Sequence, residues 1–440
     1  MANIIIDAPC GAGKTTWAIN TMNNNVEDSF VYCTPFLNEI TRIKDACKNV
    51  HIQEPHNYGT TKIDNFNELL STGENVAVTH STFLNATAET LEYIQQGEYT
   101  LFLDEVLDVV AEFNKTTLVE NAPTQAVNEN DIKLLKETGL INIREDYKVE
   151  WLGKDYTNSK FSEIERLARA GRLYYIRDKV MVCVFPPEMF KCFKNIYVMT
   201  YLFDGSILKY YFDFFDIPYS LTSINNKNEI YSLVEYTPDN DFVFRKKCRE
   251  LIVVCDSKRL HEGYKRNSFS KTWYDSAMKD KTIVKRLQND LRHFFSDIAR
   301  AHAKNNNILW TCPVEYKNKL SGKGYTRSRQ LTASERKLPT NERERIEKQI
   351  LCFVPLNARA SNEYKERWAL AYLFNMNINP MIEGFFSDYK KISIDKDMYS
   401  LSCLIQWIFR SRIRDGKDII IYLPSSRMRE LLFKWMNREI

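Results

Sequence analysis

The sequence predicts an α/β protein: two tandem domains with mostly parallel sheets, the first carrying a helical and hairpin insertion. Three observations lead there. The chain has 440 residues, and at roughly 150 residues per domain that is two or three domains, each able to bury its own core. Short aliphatic runs alternate with helical stretches along residues 1–120, and again after the middle of the chain. A composition of 44% hydrophobic and 27% charged residues, with 14 Gly and 13 Pro, excludes collagen-like, low-complexity and disordered readings.

Taken in order, Ile4–Ile6 is a strand that runs into a Gly-rich turn and a helical stretch from Lys14. Phe30–Cys33 ends at Thr34-Pro35, Val76–Val78 at Thr79-His80, and Leu101–Leu103 at Asp104-Glu105. This β-α rhythm calls for parallel strands with helices on both faces, and places ligands at the carboxyl ends of the strands. Residues from about 110 to 190 are more polar and irregular and read as the insertion. Ile196–Met199 is a further strand ending at Thr200. Apolar density drops around Ser223–Lys227 and Thr237–Asn240, which sets domains at 1–225 and 226–440. The second domain has strands at Leu251–Cys255, Ile308–Thr311, Leu351–Pro355 and Ile419–Leu423.

No apolar run reaches the roughly 18 residues of a membrane span, and no basic n-region precedes Ile4, so a cytoplasmic protein is expected. The ten cysteines form no CxxC pair and most sit in apolar runs, as buried thiols in a reducing compartment do. Six isolated histidines argue against a metal site of imidazoles. The net charge of +4 is unevenly spread: residues 315–348 carry ten Lys/Arg against five Glu, and 401–440 eight against four acids. That pattern suits a polyanion held by the second domain.

The sharpest motif is Ala8-Pro9-Cys10-Gly11-Ala12-Gly13-Lys14-Thr15-Thr16, between a strand and a helix. Gly11 and Gly13 let the backbone fold so that its N–H groups, Ala12 among them, face phosphate oxygens. The helix N-terminus beginning at Lys14-Thr15-Thr16 adds positive potential. Lys14 reaches the β- and γ-phosphates of ATP, and the Thr15 hydroxyl is a Mg²⁺ ligand. At the end of a buried strand, Asp104 is the second Mg²⁺ ligand and Glu105 the general base for an attacking water. The pair favours ATP hydrolysis over phosphoryl transfer to a small molecule.

With these residues the chain resembles the superfamily 2 helicases, or superfamily 1 with them, in a divergent DEAD/DEAH-like, phage or mobile-element form. The resemblance implies two RecA-like domains with ATP between them. Thr34-Pro35 resembles motif Ia and Thr79-His80 the next strand-end contact, both touching the nucleic-acid backbone. Asp104-Glu105-Val106-Leu107 stands where these helicases have DEAD or DExH. Thr200–Ser206 resembles motif III, with Thr200 and Gly205 coupling hydrolysis to movement. Residues 357–362 resemble motif V, with Arg359 and Asn362 on nucleic acid. Gln406–Arg414 resembles motif VI, with Gln406 at the nucleotide.

On a helix, Gln406, Arg410 and Arg414 fall within about 80° while Arg412 points away. Arg410 is therefore the first choice of arginine finger and Arg414 the second. The basic stretch 317–329 suits a loop gripping phosphates through Lys319, Lys323 and Arg327, with Tyr325 stacking on a base. Ser270–Tyr274 could stack on a base, although a helix start with core aromatics is favoured, and Tyr210–Phe215 reads as core.

The function expected is an ATP-dependent helicase or translocase on DNA, weakly preferred, or RNA, without a membrane partner; the sequence leaves the oligomeric state open, and a monomer is compatible with it. Phage or mobile-element replication or recombination, with the proteins of that process as partners, is its expected setting. The rival readings are a terminase-like DNA-packaging motor, and a nucleotide-gated nucleic-acid-binding or loader protein that does not unwind.

Overall fold

The computed structural model describes residues 2–113, 127–154, 160–356 and 364–440. It divides into two compact units. The first comprises Met1–Ala8, Ala12–Thr237 and Ile378–Tyr399, the second Pro9–Gly11, Pro238–Asn377 and Ser400–Ile440. Both are α/β with mostly parallel sheets.

The first unit's main strands are β1 (Ala2–Asp7), β2 (Phe30–Thr34), β3 (Ile52–Gln53), β4 (Asn75–Thr79) and β5 (Thr100–Asp104). After them come β6 (Val110–Glu112), β7 (Ile141–Ile143), β8 (Val149–Trp151), β9 (Leu173–Ile176) and β10 (Val180–Val184). The run closes with β11 (Asn195–Thr200), β12 (Ser220–Lys227) and β13 (Ile230–Glu235). The large sheet has the order β13-β12-β1-β11-β5-β2-β4-β3. Every pair in it is parallel except the β12–β13 hairpin.

Its strands read as nearly continuous apolar runs because both faces are covered. Alternate residues part to opposite faces: Ile6, Tyr32, Phe102 and Met199 pack with Trp17 and Met22 of the first helix. Ile5, Val31, Leu101 and Val198 pack with Phe66 and Ile94 on the other side. The aromatic run at 210–215 buries Tyr210, Tyr211, Phe212 and Phe214, as core. The register pairs Asp7 with Thr200, Met199 with Asp104, and Thr34 with Thr79. The polar strand ends therefore fall in one row along the sheet's carboxyl edge.

Strands β6, β10 and β9 form an antiparallel sheet and β7 with β8 a hairpin, with helices at Glu129–Glu137 and Ser162–Arg169. Onto the antiparallel sheet packs the helix Pro380–Lys390, far along the chain. Its Phe385 lies edge-on to Tyr174 (5.2 Å between centroids) and stacked on Phe214 (4.6 Å). The Tyr389 hydroxyl donates to the Tyr175 carbonyl (2.8 Å), and Arg177 pairs with Asp388 (2.6 Å). Residues 378–399 thus leave the stretch assigned by sequence to the second domain and complete the first unit's core. Ser223–Lys227, where apolar density drops, belongs to β12: Ser223 is buried and donates to the Asp7 carbonyl (3.0 Å), while Asn226 and Lys227 are exposed, so polar residues lower the apolar density without breaking the strand.

The second unit holds β14 (Ile252–Val254), β15 (Ile308–Thr311), β16 (Ala369–Tyr372) and β17 (Ile419–Tyr422), all parallel, in the order β14-β17-β16-β15. The strand expected at Leu351–Pro355 is reduced to two isolated bridges, Phe353 with Trp310 and Leu351 with Arg327. Pro355 has no N–H with which to extend the ladder. The sheet's fourth strand is instead β16, Ala-Leu-Ala-Tyr, whose Ala and Leu favour helix; burial of all four residues overrides that preference. No helix among the described residues is long and apolar enough to cross a membrane. All ten cysteines are free thiols.

Candidate functional site

β1 ends at Asp7, and the chain turns through Ala8–Gly13 into the helix Lys14–Asn24. Gly11 (φ 82°) and Gly13 (φ 96°) are left-handed, a conformation that costs side-chain-bearing residues energy. Gly13 is doubly constrained, since a Cβ there would lie 2.0 Å from Cε1 of Tyr231 on β13. The Lys14 ammonium donates to the Ala8 carbonyl (2.5 Å), closing the turn. Ala12, Thr15 and Thr16 are half-buried around it.

β5 delivers Asp104 to the same edge. Thr34 Oγ1 donates to Asp104 Oδ2 (3.3 Å), and Nε2 of the buried His80 lies 2.9 Å from the Asp104 carbonyl. Burial, with Glu105 and Glu39 nearby, raises the Asp104 carboxyl to about 7, while Lys14 and Thr34 act the other way. Glu105 is left-handed (φ 63°), and its N–H donates to the Met199 carbonyl (3.0 Å). Such a backbone in a non-glycine residue re-aims a side chain and marks sites where strain is retained.

Asp7 was not anticipated, and it ties the row together. Its two carboxylate oxygens accept the Leu202 and Phe203 N–H groups, each at 2.9 Å, in the turn after β11. Leu202 is left-handed (φ 58°), and Gly205 ends the short 3₁₀ turn that follows. Burial raises the Asp7 carboxyl to about 6, with the two N–H bonds and Lys14 opposing. Sequence offered no signal for Asp7 beyond its place one residue before the Gly-rich turn, and none for Tyr231.

The donor set fits a phosphate ligand with a divalent cation. The buried Thr200 Oγ1 has no hydrogen-bond partner among the described residues, and the buried Tyr32 hydroxyl lies beside Thr15 and Asp104. The Asp104 carboxyl is raised to about 7, and a nearby cation would favour its ionised form. Lys14, the Thr200 hydroxyl and Asp104 stand at the strand ends, where a polyphosphate and its metal need them.

Other anticipated residues stand differently. The Thr34 hydroxyl is committed to Asp104; Thr79 caps the helix His80–Leu84, accepting from the Thr82 N–H (3.3 Å). Thr34, Thr79 and His80 are buried, and Pro35 is half-buried. Arg359 and Asn362 lie outside the described residues.

The helix Lys396–Ile408 stops short of the arginines, so the single helical face expected for Gln406, Arg410 and Arg414 does not form. Gln406 is half-buried on it. Arg410 is buried and donates to the Pro355 (3.0 Å) and Leu356 (2.8 Å) carbonyls, a role in the second unit's own fold. Arg412 pairs with Asp418 (2.8 Å) and lies over Trp368. Arg414, in the 3₁₀ turn Arg412–Asp415, is exposed.

Tyr325 is a correction: it is 1% exposed, packs on Phe295 and Trp310, and donates its hydroxyl to the Leu320 carbonyl (2.5 Å). No base can stack on it. Lys319 donates to the Met278 carbonyl (3.2 Å) and Arg327 to Gln330 (3.2 Å), so the loop spends cations on its own structure; Lys323 is exposed.

Residues 246–436 match the YonV C-terminal Rossmann-like domain, and 123–183 the YonV middle domain. The SPbeta prophage-derived uncharacterized protein YonV of Bacillus subtilis (strain 168) is 33% identical over 447 residues, covering 99% of this chain and 98% of that protein. Among solved structures, an apo XPD (13% identity, TM-score 0.55) aligns over 99% of this chain and 95% of its own. An XPD helicase (12%, TM-score 0.54) aligns over 99% and 94%. At that identity they show the fold, two RecA-like α/β domains. The chain belongs to the YonV family.

Proposed function

We propose that this member of the YonV family is an ATP-dependent helicase or translocase that hydrolyses Mg²⁺·ATP at the carboxyl edge of the first unit's sheet. The observation that carries the reading is the row Lys14, Asp104, Glu105 and Thr200, assembled by strand register beside the Gly11–Gly13 turn. The N–H groups of the turn and the Lys14 ammonium hold the phosphates. Thr15 and Asp104 would hold Mg²⁺, which neutralises phosphate charge when bound. Glu105 accepts the proton of the attacking water. Asp7 links the β1 strand to the 202–205 turn, so a change at the phosphates is felt in the segment that resembles motif III.

Arg414, exposed where Arg410 is committed, is the second unit's candidate for the guanidinium that accelerates hydrolysis. The name of the XPD helicase among the fold neighbours supports a nucleic-acid substrate, and the prophage relative supports a phage setting; DNA as that substrate and replication or recombination as that setting are our proposals. Lys14→Ala should abolish ATP turnover while circular dichroism and melting temperature stay unchanged. Unaltered turnover in that variant refutes the site. ATPase rates with single-stranded DNA, single-stranded RNA and duplex test the substrate: stimulation by none of them removes the motor reading.

A further inference from the structure

We propose that the second unit binds single-stranded nucleic acid in a groove built from residues 259–286 at the carboxyl ends of its parallel strands. The choice of polymer rests on the functional reading above; the groove itself rests on its own geometry. Segments following β16 and β17 bring Asn375, Asn377 and Arg427 against the loop Gly263–Ser270 and enclose a cavity of about 840 Å³. Lys265, Arg266, Arg286 and Arg427 line it, and no carboxylate does. A second cavity, of about 940 Å³, adds Arg259, Lys281 and Lys285 and shares Gly263 and Arg286 with the first. The two together present five cations, Arg259, Lys265, Arg266, Lys281 and Lys285, while Arg286, paired with Asp290 (3.7 Å), and Arg427 hold the walls in place.

The loop is fixed rather than slack. Asn375, buried, donates its N–H to the Phe269 carbonyl (2.9 Å) and its side-chain amide to the Arg266 carbonyl (2.8 Å). Its Oδ1 accepts from Arg427 (3.3 Å), whose guanidinium also bonds the Met376 carbonyl (2.6 Å) and Ser400 (3.0 Å). Phe269, fully buried, is held left-handed (φ 69°), a cost that the surrounding bonds must offset. At Gly263 (φ 78°) a Cβ would come within 3.0 Å of the Arg286 guanidinium, which lies 4.6 Å over the Tyr264 ring.

Trp273 supplies the aromatic surface. It is half-buried and faces the first cavity, seated on Phe269 at 4.7 Å between centroids, while its neighbour Tyr274 is fully buried. Cations that take phosphates beside an open indole face are the components of a single-strand site, because only an unpaired base can leave its stack to lie on a side chain. One nucleotide occupies one such cavity; joined cavities with cations along both fit a strand. The phosphate grip that sequence placed at 317–329 is better supplied here.

The test uses the full chain without ATP, and fluorescence anisotropy of labelled oligo(dT) and oligo(U) over a salt series, with dTMP and duplex as competitors. Lys265→Ala/Arg266→Ala should flatten the slope of log K against log salt by about 1.4, from two phosphate contacts at about 0.7 each. Trp273→Ala should weaken binding about tenfold. Trp273→Phe, which keeps a ring in place, should retain affinity but lose part of the tryptophan quenching on binding. Unchanged slope and quenching in variants that melt like the parent overturn the proposal. So does competition by dTMP or duplex as effective as by the single strand. ATP is absent, so failure of the Lys14→Ala prediction leaves this result standing, and failure here leaves the ATP site standing.

Discussion

Asp7→Asn separates the chemical role of the site from its stability. The Asp7 carboxyl is raised from 3.8 to about 6 because burial outweighs its two N–H bonds and Lys14. At 1.36 kcal/mol per pH unit the folded state prefers the protonated acid by about 3 kcal/mol. That preference contributes stability in full below about pH 4 and loses it as pH rises through about 6. Asparagine does not titrate. It keeps one acceptor for the Leu202 and Phe203 N–H groups, and the unmatched donor costs about 1–3 kcal/mol at every pH.

The stability difference should therefore move toward the variant by about 3 kcal/mol between pH 4 and pH 8. For a unit of this size that is roughly 6–12 °C in relative melting temperature. Comparing the two proteins at each pH cancels every other titrating group. Thermal melts across that range measure it, and a constant difference refutes the claim that burial raises the Asp7 carboxyl to about 6. The same variant should retain basal ATP turnover and lose its stimulation by nucleic acid, because the turn resembling motif III is no longer clamped to β1.

Two further variants address the second unit. Arg410→Ala should lower the melting temperature, since it strips the donor from two carbonyls at a cost of about 1–3 kcal/mol per bond. Arg414→Ala should leave the melt unchanged and slow ATP turnover; the reverse pattern restores Arg410 as the finger. Tyr325→Phe should cost about 1 kcal/mol and Tyr325→Ala about 3–5 kcal/mol of stability, measured by denaturant unfolding. Oligonucleotide affinity lost in Tyr325→Phe without loss of stability contradicts its place in the core.

The sequence alone determined the α/β class, the strands that carry the candidate site, and the roles expected of Lys14, Thr15, Asp104 and Glu105. Those features are local: a Gly-rich turn between strand and helix, or two acids at the end of an apolar run, are legible within about ten residues. The unit boundary, the return of residues 378–399 to the first core, the burial of Tyr325 and Arg410, and strand β16 were decided by tertiary structure. Each depends on what lies opposite a residue in space. An arginine facing two carbonyls and one facing solvent are the same letter, and Ala-Leu-Ala-Tyr becomes a strand only between two others. Asp7 shows the limit most plainly, because its meaning lies in two N–H groups almost two hundred residues away that only the β1–β11 register brings within reach.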